Sequence, residues 1–410
     1  MHTLSQLNAG ELAGIKRLSL SEQLTEFPEA ILTLAASLEV LDLSNNLLST
    51  LPNEITQLKK LKIIFASNNR FEKLPEILGQ CENIEMVGFK SNKIKDVPAD
   101  ALPKKLRWLI LTDNKIMTLP DSLGDRPRLQ KLALAGNRLT TLPKTLSKLV
   151  NLELIRISAN QLTECPEQLL NLPKLAWLAF AGNPFCQSDI VVKSVPSIEA
   201  SRYQLKDVLG QGASGVIYQA SWNEAQSQFP ENIAVKVFKG QVTSDGYPDD
   251  ELQACLKVGN HINLVKSLAQ VEEPGKLALI MGLIPAHFKN LGLPPCLQSC
   301  TRDNFPAGFC LSIDKIDKIV KQIKSVFEHL HLNQVSHGDL YAHNTLVDEN
   351  ANIIFGDFGA ATMYHMLTSD QQNKVKLIES RALQHFIDDL LSICNIEDHK
   401  KDIYQQLKVH

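Results

Sequence analysis

From Leu38 onward the apolar positions return on a fixed beat. The pattern L-x-x-L-x-L-x-x-N-x-L is filled by Leu38, Leu41, Leu43, Asn46 and Leu48, and restarts at Leu61, Ile84, Leu106, Leu129, Leu152 and Leu175. The steps are 23 residues, with a single step of 22. Asparagines keep register as Asn46, Asn69, Asn92, Asn114, Asn137, Asn160 and Asn183, and a proline follows each of the first six, at Pro52, Pro75, Pro98, Pro120, Pro143 and Pro166. A degenerate eighth copy begins at Ile15 and lacks one residue and the asparagine. An L-x-L triplet alternates across a short strand and sends both leucines to one side. The asparagine amide suits the backbone groups exposed where the chain leaves that strand, and proline keeps the return segment out of the ladder. One copy cannot bury its own apolar face, so the copies are expected to stack.

This text resembles the leucine-rich repeat family, its LP-type branch in particular, over roughly residues 15–190. The resemblance implies an α/β solenoid whose concave face binds protein. The strand column before the second leucine reads Val40, Ile63, Met86, Trp108, Lys131, Leu154 and Trp177, and the next outward column includes Asp42, Phe65 and Gly88. Trp108, Trp177, Phe65, Ile63 and Met86 are therefore expected to form an exposed apolar patch for a protein partner. Residues 191–202 read as a short linker.

From Tyr203 the beat disappears. YQLKDVLGQGASGVIYQA places Gly210, Gly212 and Gly215 in G-x-G-x-x-G ahead of Ile217. Glycines let backbone N–H groups approach phosphate, but a dinucleotide fold uses the same spacing before a helix, whereas a strand is expected here. Lys236 then lies between Val235 and Val237 in the apolar strand NIAVKVFK. A charge in that setting needs an anion, phosphate or carboxylate. Glu251 on a following helix can supply the carboxylate, with Asp249 and Asp250 as competitors.

VSHGDLYAHNTLV spaces Asp339 and Asn344 five residues apart, and Asp357 follows thirteen later in NIIFGDFGAA. Phosphoryl transfer needs a carboxylate to orient a hydroxyl and oxygen ligands for Mg²⁺; Asp339 suits the first role, Asn344 and Asp357 the second. Four such signals in this order resemble a protein kinase, over residues 203–410. The resemblance implies a bilobal α+β domain with ATP under Gly210, Gly212, Gly215 and Ile217. It further implies Lys236 on the phosphates and paired with Glu251, Asp339 as base, Asn344 and Asp357 on Mg²⁺, and Phe358 packing to set the active conformation.

Three features depart from the family pattern. Gly338 stands where the arginine before the catalytic aspartate is usual, Tyr341 where a lysine is common, and no A-P-E follows D-F-G. The helical lobe reads as shortened, so the solenoid is expected to supply specificity by raising the local concentration of substrate. Together these features lead to the expectation of a Ser/Thr protein kinase using ATP and Mg²⁺ in cytoplasmic signalling, with a pseudokinase scaffold and a small-molecule phosphotransferase of the aminoglycoside or choline type as alternatives. An effector delivered into a host cell would show the same features. Asp388 and Asp389 in FIDDLL, if not on a solvated face, anchor the catalytic loop. His329 and His331 suit a helix C-terminus, and the loop with Cys296, Cys300 and Cys310 lies near the cleft.

Composition sharpens this picture at the margins. Of 62 leucines, 39 fall in the first 190 residues, which separates the halves. Lys+Arg 42 against Asp+Glu 45 excludes a polycation built for nucleic-acid phosphates. An apolar content of 44% excludes a disordered chain. No apolar run approaches the ~20 residues of a membrane span. The polar start MHTLSQLNAGE is not read as a signal peptide, and eight scattered cysteines fit reduced thiols.

Overall fold

A computed structural model describes residues 2–187, 192, 194–212, 214–224, 228–240, 242–243 and 245–409. The chain divides into two compact units: residues 1–175 with 183–185, and residues 176–182 with 186–410.

After a short helix α1 (Leu4–Asn8), each repeat contributes one three-residue strand: β1 (Arg17–Ser19), β2 (Val40–Asp42), β3 (Ile63–Phe65), β4 (Met86–Gly88), β5 (Trp108–Ile110), β6 (Lys131–Ala133), β7 (Leu154–Arg156) and β8 (Trp177–Ala179). The eight strands form one parallel sheet in chain order. Leu41 and Leu43 are fully buried, with Asp42 between them half-buried, as the alternation requires. Each return segment is a 3₁₀ turn, or the helical turn α2 (Glu167–Leu170), with its proline at the N-cap; Pro52 before Asn53–Gln57 is one example.

The asparagines do what the spacing asks. Asn137 Nδ2 donates to Leu111 O and Leu134 O at 2.9 Å each, while its Oδ1 accepts Ile116 N at 3.1 Å. Asn69, Asn92, Asn114 and Asn160 repeat the same three bonds. The residue before the asparagine is left-handed in successive copies, with φ of 60° at Asn45, 53° at Asn68, 56° at Asp113 and 53° at Ala159. Asn and Asp tolerate that region; Ala159 is held there against its preference.

In the second unit, β9 (Tyr203–Gln211), β10 (Gly215–Trp222), β11 (Asn232–Phe238), β12 (Ser267–Glu273) and β13 (Lys276–Gly282) form an antiparallel sheet of order β12-β13-β11-β10-β9. Helix α3 (Pro248–Val258) lies between β11 and β12 in the chain. Period two sorts β11: Ile233 and Val235 join one cluster with Ala220 and Ile280, while Ala234 and Phe238 pack with Leu252 and Leu256 of α3. Lys236 shares the second parity and so faces the helix. Residues 194–202 run beside β12, where Ile198 N donates to Gln270 O at 2.9 Å and Gln270 N to Pro196 O at 3.0 Å. Val191 and Lys193 of the expected linker lie outside the described residues.

The remainder comprises β14 (Lys289–Asn290), α4 (Ile313–Leu332), β15 (Val335–Ser336), β16 (Thr345–Val347), β17 (Ile353–Phe355), β18 (Thr362–Met363), α5 (Ser369–Ser392) and α6 (Asp402–Lys408). Helix α4 buries Ile316, Ile319, Val320, Ile323, Phe327 and Leu330, a helical stripe. Its last turn carries His329 and His331, as expected. Among the described residues no helix is long and apolar enough to cross a membrane.

The expected exposed patch on the repeats is corrected. Ile63, Met86 and Trp108 are at most 8% exposed and Trp177 only 2%. Side chains of adjacent copies lie over one another: the Phe65 ring fills the space beside Gly88, and Lys131 Nζ sits 4.9 Å from the Trp108 ring centroid. Trp177 is buried by residues of the second unit, described below.

Candidate active site

A cleft of about 820 Å³ is lined by the glycine turn, Ile217, Ala234, Lys236, Met281, Leu346 and Asp357. That volume suits a nucleotide-sized ligand. The glycine motif spans the turn between β9 and β10, so a strand follows it and not a helix. Gly212 N donates to Gly215 O at 3.0 Å to close the turn, and Ala213 lies outside the described residues. The three glycines differ in purpose. A Cβ on Gly215 would come within 2.5 Å of Val237 O, so its absence lets β10 lie close to β11. A Cβ on Gly210 or Gly212 would meet nothing within 4 Å.

Lys236 Nζ is bonded to Glu251 Oε1. Asp249 and Asp250, the competitors, do not take that place. Burial works against the Lys236 charge, but Glu251 and Asp357 outweigh it and hold the ammonium above its usual range. Two carboxylates thus keep a cation charged at the cleft wall, where an anionic ligand would meet it.

Asp339 and Asn344 are joined directly: Asn344 Nδ2 donates to Asp339 Oδ2 at 2.8 Å and to Asp339 O at 3.0 Å. Asp357 has φ of 60° in the turn after β17. Phe358 is buried beside it, its ring 5.1 Å from that of His337. His337 ties the two acidic segments together, since its Nδ1 accepts Asp339 N at 3.3 Å and its Nε2 donates to Gly356 O at 3.1 Å. These partners require the proton on Nε2.

The loop bearing Asp339 is held by residues that the sequence reading missed. Glu379 of α5 accepts His337 N at 2.7 Å and Gly338 N at 3.1 Å on one oxygen. Asp303 Oδ1 accepts Ala342 N at 2.8 Å, and Gly292 N donates to Ala342 O at 3.2 Å. Burial pushes the Glu379 carboxyl up to about 7, against the pull of the two N–H groups, and burial likewise raises Asp303 to about 7. Asp389, expected to anchor the loop, acts one residue removed. It accepts Asp303 N at 3.0 Å and takes Arg302 through Nε at 3.0 Å and Nη2 at 2.6 Å. Asp388 bonds Gln384 one turn back on its own helix and does not reach the loop.

Trp177 and its neighbours complete the enclosure. Trp177 Nε1 donates to Leu340 O at 3.1 Å, and its ring stacks on Tyr341 at 5.1 Å with planes 2° apart. Gly338 has φ of 71°, and a Cβ there would approach Leu178 O to 2.7 Å and Ala360 O to 2.9 Å. Arginine has no room at this position.

The protein kinase domain profile matches residues 203–380, and leucine-rich repeat profiles match residues 37–58 and 127–185. A probable L-type lectin-domain containing receptor kinase of Arabidopsis thaliana is 28% identical over 43% of this chain and 24% of its own length. The cell division control protein 2 homolog 3 of Trypanosoma brucei brucei is 26% identical over 44% of this chain and 54% of its own. The chain therefore spans about a quarter to a half of the length of these relatives. A leucine-rich repeat protein of Leptospira interrogans aligns at a TM-score of 0.40 and 27% identity, covering 43% of this chain and 51% of that one. The chain carries leucine-rich repeats followed by a protein kinase domain.

Proposed function

We propose that the chain is an ATP-dependent protein kinase that phosphorylates Ser or Thr hydroxyls in the cytoplasm, with its leucine-rich repeats recruiting a protein partner or substrate. The observation that carries this reading is the set of two coupled pairs, Lys236 with Glu251 and Asp339 with Asn344, together with Asp357 in the cleft wall. Lys236 would neutralise phosphate charge, while Gly210 and Gly212 leave the backbone open to the phosphates. Asp339 would orient the acceptor hydroxyl and take its proton as the phosphoryl group leaves ATP.

Asn344 and Asp357 would hold Mg²⁺. Both offer oxygen donors, the chemistry this hard cation demands. Among the described residues no cluster of three or more His, Cys, Asp or Glu could hold a metal, so phosphate oxygens and water would complete the shell. Bound there, the cation supplies charge neutralisation on the transferring group. The Ser/Thr assignment draws on similarity to a cyclin-dependent kinase of Caenorhabditis elegans and a serine/threonine-protein kinase of Debaryomyces hansenii.

Radiolabelled ATP incubated with the chain and with Asp339→Asn tests the proposal. Label should enter protein, and the variant should lose about 10³-fold of the rate. Nucleotide binding with no transfer would turn the reading into a pseudokinase scaffold. Label entering only small metabolites would exclude a protein kinase.

A further inference from the structure

The peptide units on both sides of Asp339 are fixed by side chains from elsewhere. On the N-terminal side, Glu379 holds His337 N and Gly338 N. On the C-terminal side, the Leu340 carbonyl receives the Trp177 indole N–H at 3.1 Å in a buried setting. Residues 176–182 belong to the same compact unit as this loop. The Trp177 ring is parallel to Tyr341, and lies 5.3 Å from the His385 ring at 11° between planes. Three residues on, Phe180 N donates to Thr362 Oγ1 at 3.2 Å, in the segment after Asp357. One short stretch thus touches residues 338, 340, 341 and 362.

We infer that Trp177 is a positioning residue for Asp339, fixing the Leu340 peptide so that the carboxylate keeps one orientation while Gly338 stands in the usual arginine position. The inference rests on the kinase reading of Asp339. Its physical basis does not: a buried carbonyl that loses this indole donor must find water or turn, and turning the 340–341 peptide drags the backbone next to Asp339. Leu178 O fills the space in which a side chain at position 338 would begin, and Phe180 N bonds Thr362 in the segment after Asp357. The positioning is therefore built into residues 177–180.

Trp177→Phe separates the two contacts, since phenylalanine keeps a ring against Tyr341 and removes the donor. Tyr341→Leu does the reverse and serves as the second variant, with thermal melting confirming that each is folded. For Trp177→Phe, kcat for phosphoryl transfer should fall at least tenfold and KM for ATP should stay within twofold, because the nucleotide cleft is untouched. Amide exchange of residues 338–342 should quicken tenfold or more, with β11 unchanged. Wild-type kcat together with wild-type exchange in Trp177→Phe, or a loss of both in Tyr341→Leu alone, would overturn the inference, as would a rise in KM for ATP matching the loss of kcat. A wild-type chain without transfer would sink the kinase reading instead, and the exchange rates alone would then decide whether Trp177 holds the loop.

Discussion

The repeats and the loop bearing Asp339 solve the same problem, backbone groups buried away from water, in opposite ways. In the repeats one side chain per copy satisfies three groups, with partners at separations of 3, 21 and 26 residues for Asn137 and one fewer at the two long ones for Asn114. In the loop, residues 337–342 are satisfied by Glu379, Asp303 and Trp177, at separations of 42, 39 and 163 residues. The first solution is modular, so each copy stands for all the others. The second is assembled once, from segments with no common pattern, and holds a single geometry. Repetition builds a surface from one rule, whereas a carboxylate held in one orientation needs an enclosure made for it.

The largest expected effect tests the modular side. Asn137→Ala strips three bonds from buried backbone and should cost about 3–5 kcal/mol of the first unit's stability in urea melts. Asn92→Ala should agree with it within about 0.5 kcal/mol, since the geometry is the same. A difference beyond 2 kcal/mol between the two would break the comparison. Next, Lys236→Met leaves the buried Glu251 without its cation and should cost about 3 kcal/mol in the second unit, along with nucleotide affinity in a fluorescence titration. Adding Glu251→Leu should recover most of the stability but none of the binding, a pairwise repair that the asparagine ladder does not permit.

The smallest effect concerns the loop's anchor. Glu379 holds its proton to about 7 against an ordinary 4.5, so the folded state binds that proton more tightly than the unfolded one. Its contribution is fully present below about 4.5 and declines as the pH rises through about 7. Glutamine keeps an acceptor for His337 N and Gly338 N without the charge. Glu379→Gln should therefore flatten the stability profile between pH 5 and 8, and exceed wild type at pH 8 by about 2 kcal/mol. Asp303 and Asp250, which burial also raises to about 7, retain a residual slope. A variant less stable than wild type at pH 8 would mean the carboxylate itself, not a neutral acceptor, secures the loop.

The same contrast explains what could be read beforehand. Seven copies in register reveal the parallel sheet and the asparagine ladder because the signal is repeated. Lys236 stands out because a charge inside an apolar strand demands a partner, and Glu251 answers. Glu379 gives no such sign: KVKLIESRALQ reads as an ordinary polar helix, and only folding brings that carboxylate under His337. The pair in FIDDLL pointed toward the loop, yet Asp389 reaches it through Asp303, a residue in a stretch that reads only as loop. Trp177 misled for a physical reason. Periodicity fixes which way a strand residue points but not what covers it, and here Tyr341 and His385 do.

The ladder has a direction. Each asparagine reaches back to the copy before it; Asn137 accepts from the residue 21 positions earlier and donates to one 26 positions earlier. A ribosome releases the N-terminus first, so every emerging repeat waits with its turn unfastened until the next asparagine arrives. Assembly during synthesis is a zipper whose teeth close one copy late.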